Sequence, residues 1–559
     1  MEKKFIIPKG VRIACYILLF FIGLFACAAI YVNVYLDKKV IEFLEQRVSE
    51  STHGEYALSV DNFTVQLLAQ NIVITNLVVA PTGKAAPGRV QYVFKAATIK
   101  FIGFSIFSYL KNNNLMINRV EVEKPEISIF QGKERLQNKI SDIDAPRFSI
   151  YAMFSKKLNS VSIGQIDIIN SRFTIYKSST DTLPVFCTNE NTMSIKNFNI
   201  NALTDKNKSL FDAEKMEMVM NKFSYHLDNG LYTMYGNSLH VSYLDSLLTI
   251  DSLQLVPIFS KKEFATEAGR QVSRVKIIAA KVEMQKMDVK LFFEYNWLVI
   301  HKVELDGCLI DVFRDNTLAL APIVRPSVQA MIKDLPFFVK IDTVEMKNGE
   351  TVFQMRNPGQ DMAGKITVTN MNVTITGVQN DTTLYSDKSS IIAKVTGKLL
   401  NESKFNLNYI FPLKARKEFF YCSGSLAAMD MTVFNPLTQN VKHLLIKSGK
   451  LDSASFAFTA GEFTSSGTMK VIYHDLDVEV MNKEGETSKL KEKIRTMVVN
   501  ALIVKDSNPG KDNVVRISPI HAEHNPYRFF MNYSVQSILS GIAPSMVNEK
   551  RVRMFKKNK

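Results

Sequence analysis

The sequence predicts a mainly β protein held behind one N-terminal transmembrane helix. Three observations carry that expectation. Ile13 to Val32 is a run of twenty residues without a charge or a proline. An apolar phrase with strand alternation recurs along most of the remaining chain. Helical periodicity is confined to a few short stretches.

In a helix rising about 1.5 Å per residue, the Ile13–Val32 run spans about 30 Å, the thickness of a bilayer core. Lys3, Lys4, Lys9 and Arg12 precede it against Glu2 alone, which predicts a cytoplasmic N-terminus. The rival reading is a cleaved signal, since Leu24-Phe25-Ala26-Cys27 loosely follows a lipobox. Phe25 is bulky for that motif, and Ala28–Val32 extends the apolar run where a polar tether belongs. A secretory apolar region is also shorter, roughly 7–15 residues. The expectation is an uncleaved anchor with the body outside the cytoplasm.

Beyond the anchor, a chain of 559 residues is long enough for a multidomain or elongated body, and 46% hydrophobic content excludes wholesale disorder. The net charge of +15 suggests a nucleic-acid partner until it is located. The first twelve residues carry +3 and the last ten carry +6, so residues 13–549 hold only +6. No basic stripe suited to tracking phosphates remains, and nucleic acid is not an expected partner. Cys15 and Cys27 lie in the anchor, while Cys187, Cys308 and Cys422 are widely spaced and odd in number, the pattern of free thiols.

The recurring phrase is an apolar residue, a second one three positions on, and a third two positions later. Its ten copies include Ile74-Leu77-Val79, Ile117-Val120-Val122, Ile163-Ile166-Ile168, Ile195-Phe198-Ile200, Ile300-Val303-Leu305 and Val368-Met371-Val373. Asn often precedes the middle residue, as at Asn62, Asn76, Asn197 and Asn370. Four copies extend into a longer unit, at residues 117–130 (INRVEVEKPEISIF), 163–176, 300–313 and 341–354. Each reads as strand, polar turn, strand, which predicts a family of hairpins in an antiparallel sheet.

Helices are expected in three places. Asp37–Glu50 puts Leu36, Val40, Leu44 and Val48 on one face. A short helix fits between Pro326 and Pro336, and a third starts near Asn525-Pro526 and ends at Pro544. The apolar stripe of the third is Met531, Val535, Ile538, Leu539 and Ile542, and six bases follow in 550–559. That combination predicts a C-terminal docking face for a membrane or a partner; the alternative is a helix that caps the sheet. The charged stretch 482–493 reads as an exposed loop. The organisation is therefore anchor (1–34), β body (35–524) and C-terminal helix with basic tail (525–559).

No catalytic constellation appears. Nucleophile-elbow, P-loop and zincin motifs are absent. His521 and His524 form a close pair without a third ligand at a telling spacing, and Asp475, Asp477 and Glu479 read as a solvated strand face. The expectation is a non-enzyme without metal or cofactor.

Taken in order, the anchor, the helix behind it, NIVITNLVV (71–79), INRVEVEKPEISIF, GTMKVIYHDLDVEVMN (467–482) and NPYRFFMNYSVQSILSGI (525–542) resemble the AsmA-like envelope proteins of Gram-negative bacteria. That resemblance implies an elongated β-sheet folded into a groove, a tether in the inner membrane, a periplasmic body, and phospholipid transport in support of the outer membrane. The alternative is a non-transporting envelope scaffold that holds protein partners. Alternation puts Val120/Val122, Ile166/Ile168 and Val303/Leu305 on apolar strand faces, the candidate groove lining. A sandwich would show the same alternation, and only the resemblance favours the groove.

Overall fold

A computed structural model of the chain describes residues 38–546, apart from 67–69, 84–89, 132–150, 152–153, 179, 207–210, 290, 293–296, 359–361, 416, 443, 481–504 and 512. The expected anchor, the 482–493 loop and the basic residues of 550–559 lie outside the described residues. Among the described residues no helix is long and apolar enough to cross a membrane.

The protein is mainly β, with strands forming one large mixed sheet and helices that are few. Helix α1 (Lys38–Ser51) follows the expected amphipathic pattern and buries Leu44 and Val48. The first long strands are β1 (Asn71–Pro81), β2 (Gln91–Phe104), β3 (Asn114–Glu123), β4 (Glu126–Phe130), β5 (Ser160–Tyr176) and β6 (Phe186–Asn201).

The hairpin expectation is overturned. The unit at 117–130 is β3 and β4, and these do not pair with each other. Both run antiparallel to β2 and parallel to β5, as one strand with a kink between its halves. The unit at 163–176 lies wholly inside β5. The unit at 300–313 is Trp297–Asp306 followed by β7 (Leu309–Asp315), and β7 runs parallel to β8 (Phe338–Arg356), which contains the fourth unit. The sheet is therefore mixed rather than antiparallel. The units lie side by side in two pairs, each in phrase register, Ile117 beside Ile163 and Leu309 beside Glu350, offsets of 46 and 41 residues.

The physical reason lies at the eighth position of each unit. Lys124, Asn170, Gly307 and Asn348 have φ of 49°, 56°, 58° and 52°. A single left-handed residue inserts a bulge and bends a strand without reversing it. The same device explains the odd spacing of the shorter phrase. Residues three apart face opposite sides of a regular strand. With Asn76 at φ 50° and Asn197 at φ 53°, Ile74, Leu77 and Val79 are all buried, as are Ile195, Phe198 and Ile200. Asn recurs there because it tolerates the left-handed region better than other side chains with a Cβ.

This gives a first prediction, at Asn370 (φ 49°), where the ladder between neighbouring strands shifts register. Asn370→Val is expected to cost about 1–2 kcal/mol, while Asn370→Gly stays close to the parent. Thermal unfolding of the pair checks it; equal melting temperatures would remove the left-handed requirement.

The chain divides into two units, residues 1–253 with 283–299, and residues 254–282 with 300–559. In the first, cross-strand neighbours line up as an apolar row, Ile72–Phe101–Val120–Ile166–Ile195–Met216, buried throughout. In the second, β8 continues through β9 (Gly364–Gln379), β10 (Ser390–Leu399), β11 (Ser403–Pro412), β12 (Phe420–Leu426), β13 (Leu444–Ala460), β14 (Thr464–Val480) and β15 (Ile517–Glu523). These pair antiparallel in sequence order and carry the row Val344–Ile375–Ala393–Tyr409–Cys422–Phe458–Gly467–Ile520. Helices α2 (Val328–Lys333) and α3 (Phe530–Met546) pack on that face, together with the short 3-10 helix Met431–Phe434. Pro544 does not end α3; the helix continues to Met546 with Pro544 in its last turn.

Candidate functional site

The strands separate two chemistries. One face of the first unit carries ion pairs: Lys100 Nζ lies 2.8 Å from Glu121 and 2.6 Å from Glu123, and Arg119 lies 2.7 Å from Asp167. Burial pushes the Asp167 carboxyl up, but hydrogen bonds from Gln165 and Ser194 and the Arg119 guanidinium outweigh it and hold it below the usual carboxylate range. In the second unit Lys302 bridges Glu345 at 2.9 Å and Glu304 at 3.0 Å, and both contacts hold its ammonium above the ordinary lysine value.

The other face is apolar, and it contains the predicted lining residues. Val120 sits directly beside Ile166, and Val122 beside Ile168, across the parallel ladder between β3 and β5. Burial falls along these strands. Ile117 and Ile163 are each 2% exposed, and Val120, Ile166 and Val122 are also buried. Ile168 is half-buried, and so are the next pairs, Ile127 with Phe173 and Ile129 with Ile175. The closed end gathers Leu115, Leu158, Val161 and Ile200, all essentially inaccessible. Val303 is buried and Leu305 half-buried.

The second unit shows a comparable gradient across its strands. Tyr409, Cys422, Phe458 and Ile520 are buried beneath α3, whereas Val344, Ile375 and Ala393 in the same row are half-buried. Burial also pushes the Cys422 thiol up, to about 12, so it is a packing group rather than a nucleophile.

Helix α3 seats itself through small residues. Ser537 Oγ donates to Ser465 Oγ at 2.8 Å, Tyr533 donates to the Gly461 carbonyl at 3.2 Å, and Gly541 leaves no room for a Cβ against Ile520 and Met469. The predicted stripe is split by this seating. Ile538 and Ile542 pack against the core, while Met531, Val535 and Leu539 are 47%, 46% and 50% exposed. A count of apolar positions alone could not divide the stripe; the Ser534, Ser537, Gly541, Ser545 series was the available signal.

Among the described residues no group of three or more His, Cys, Asp or Glu could hold a metal. His524 stacks on Tyr533 and its ring bonds the Glu462 carbonyl at 2.8 Å. Glu479 is buried beside Lys447 at 3.0 Å, and Asp475 and Asp477 are exposed. Compared with known proteins, the chain matches no family model and no curated protein.

Proposed function

We propose that the protein binds or transfers phospholipid along the apolar strand faces, as an inner-membrane-anchored periplasmic protein that supports the outer membrane. The observation that carries this reading is the fall in burial from Ile117 and Ile163 to Ile129 and Ile175. A sealed core is buried to its ends; a groove leaves apolar side chains half accessible along its mouth. Acyl chains there gain about 25 cal/mol for each Å² of apolar surface removed from water. The reading also draws on the resemblance to AsmA-like proteins and on the Ile13–Val32 run, and it assigns the chain a carrier role without catalysis or cofactor.

The test is mass spectrometry of lipids retained by the full chain after gentle detergent extraction. Phospholipid retained in molar proportion is the expected result. A lipid-free chain that co-purifies with a stable protein partner would replace this reading with the envelope scaffold. In the same cells, protease added to spheroplasts is expected to digest the body.

A second reading concerns α3. Its exposed Met531, Val535 and Leu539 stand one turn apart on one side, and the following segment 550–559 carries six bases. That arrangement supports docking on an anionic bilayer, where each base near the surface contributes about 1 kcal/mol.

A further inference from the structure

The second unit contains a cavity of about 510 Å³ where α2 and the start of α3 meet the ends of β11, β12 and β13. Its size falls within the roughly 300–1,000 Å³ of small-ligand sites. The lining of this cavity joins two chemistries. Phe411, Phe420, Phe530 and Tyr533 supply an aromatic part, with Phe530 set edge-on 5.7 Å from Phe411 and 6.2 Å from Phe420. Arg325, Arg528 and Lys417 supply a charged part, together with Glu418 and Glu462.

The cations are unevenly answered. Lys417 faces Glu462 at 3.6 Å. Among the described residues no carboxylate pairs with Arg325 or Arg528. Arg528 donates to the neutral Gln271 amide oxygen at 2.8 Å, and Arg325 is fixed through its backbone N–H to the Pro526 carbonyl at 2.8 Å. Near Arg528, Arg314 is another guanidinium with no carboxylate partner among the described residues, bonded to Ser273 Oγ at 3.1 Å. Burial and the charge of Arg528 lower Arg314 to about 10, the mark of like charges held together in poor solvation. Arg325 is exposed and Arg528 half-buried; the charge held at Arg528 and Arg314 without a counter-ion is best relieved by a bound anion, and guanidinium suits carboxylate and phosphate oxygens in bidentate geometry.

We propose that this cavity binds a single-chain anionic amphiphile, its acidic head on Arg325 and Arg528 and its acyl chain over Phe411, Phe420, Phe530 and Tyr533. The tail chemistry rests on the acyl-lipid reading above; the head chemistry does not. Head and tail are recognised by groups held on different elements, so a neutral chain of equal length loses the head contacts alone.

The experiment uses the full chain in nanodiscs of zwitterionic lipid, with a diazirine-bearing C16 carboxylic acid and the matching C16 alcohol as probes. Cross-linked peptides are mapped by mass spectrometry. The acid is expected to label the Phe411–Phe420 and Phe530–Tyr533 peptides about tenfold more than the alcohol, the scale of a lost charge-assisted bond. Arg325→Gln with Arg528→Gln should erase that preference, and Arg528→Lys alone should retain part of it. Equal labelling by acid and alcohol in the parent, no labelling of these peptides, or a preference that survives the double substitution would each overturn the proposal. Labelling around Ile129 and Ile175 is read from the same spectra. The groove reading and this cavity can therefore fail separately.

Discussion

Ile163→Asp is expected to unfold the first unit, and Ile175→Asp is expected to leave it folded while depriving it of lipid. The two positions lie on one strand, β5, and differ in what surrounds them. Ile163 is 2% exposed and sits beside Ile117 and Phe198, both buried. A carboxylate set between these two apolar side chains costs about 3–5 kcal/mol as an uncompensated buried charge. Ile175 is half-buried, between Ile129 and Phe186. Asp at that point keeps part of its hydration and costs less, about 1–2 kcal/mol. The same charge placed among acyl chains opposes their binding, so retained phospholipid should fall several-fold. Thermal unfolding and lipid mass spectrometry are run on both variants. If Ile175→Asp unfolds as readily as Ile163→Asp, the face is a sealed core; if it retains lipid normally, lipid does not pass this point. Val303 is buried, so Val303→Asp belongs with the first kind of variant.

Gly541→Leu is expected to release α3 from the second unit. A Cβ at 541 would stand 2.9 Å from Ile520 Cγ1 and from Met469, closer than carbon atoms tolerate. Overpacking of this kind costs about 1–3 kcal/mol, and a leucine adds three further carbons in the same direction. Gly541→Ala sets the same contact against a gain of about 1 kcal/mol in helix propensity, so its net effect should be small. For Gly541→Leu the clash prevails. The melting temperature should drop, and hydrogen exchange should accelerate across Phe530–Met546. It should also accelerate at Tyr473, whose hydroxyl donates to the Ser545 carbonyl at 3.3 Å. Unchanged protection in that helix would show that the sheet yields to the leucine and that close approach is not what seats α3.

Legibility in the sequence followed the range of the physics involved. The β content was readable because alternation is local, and Leu44 and Val48 were readable because helical periodicity is local. Pairing was not. The polar turns inside the four long units predict reversals, since turn residues between two alternating runs usually mark a hairpin. The choice between a reversal and a kink depends on which strand lies alongside, and β3 and β4 both found β2 and β5. The cavity by α3 was invisible for the same reason: Arg325 and Arg528 are 203 residues apart, and neither sits in a motif.

By itself the sequence determined the strand-rich class, the phrase of three apolar residues, and the placing of Val120 beside Val122 and Ile166 beside Ile168 on apolar faces. These follow from side-chain order and the two-residue repeat of a strand. Tertiary structure alone decided that the long units lie parallel in phrase register and that burial fades from Ile117 to Ile129. It also decided that the α3 stripe divides between core and solvent. Each depends on which surface a residue meets, and a surface assembled from distant segments has no trace in local order.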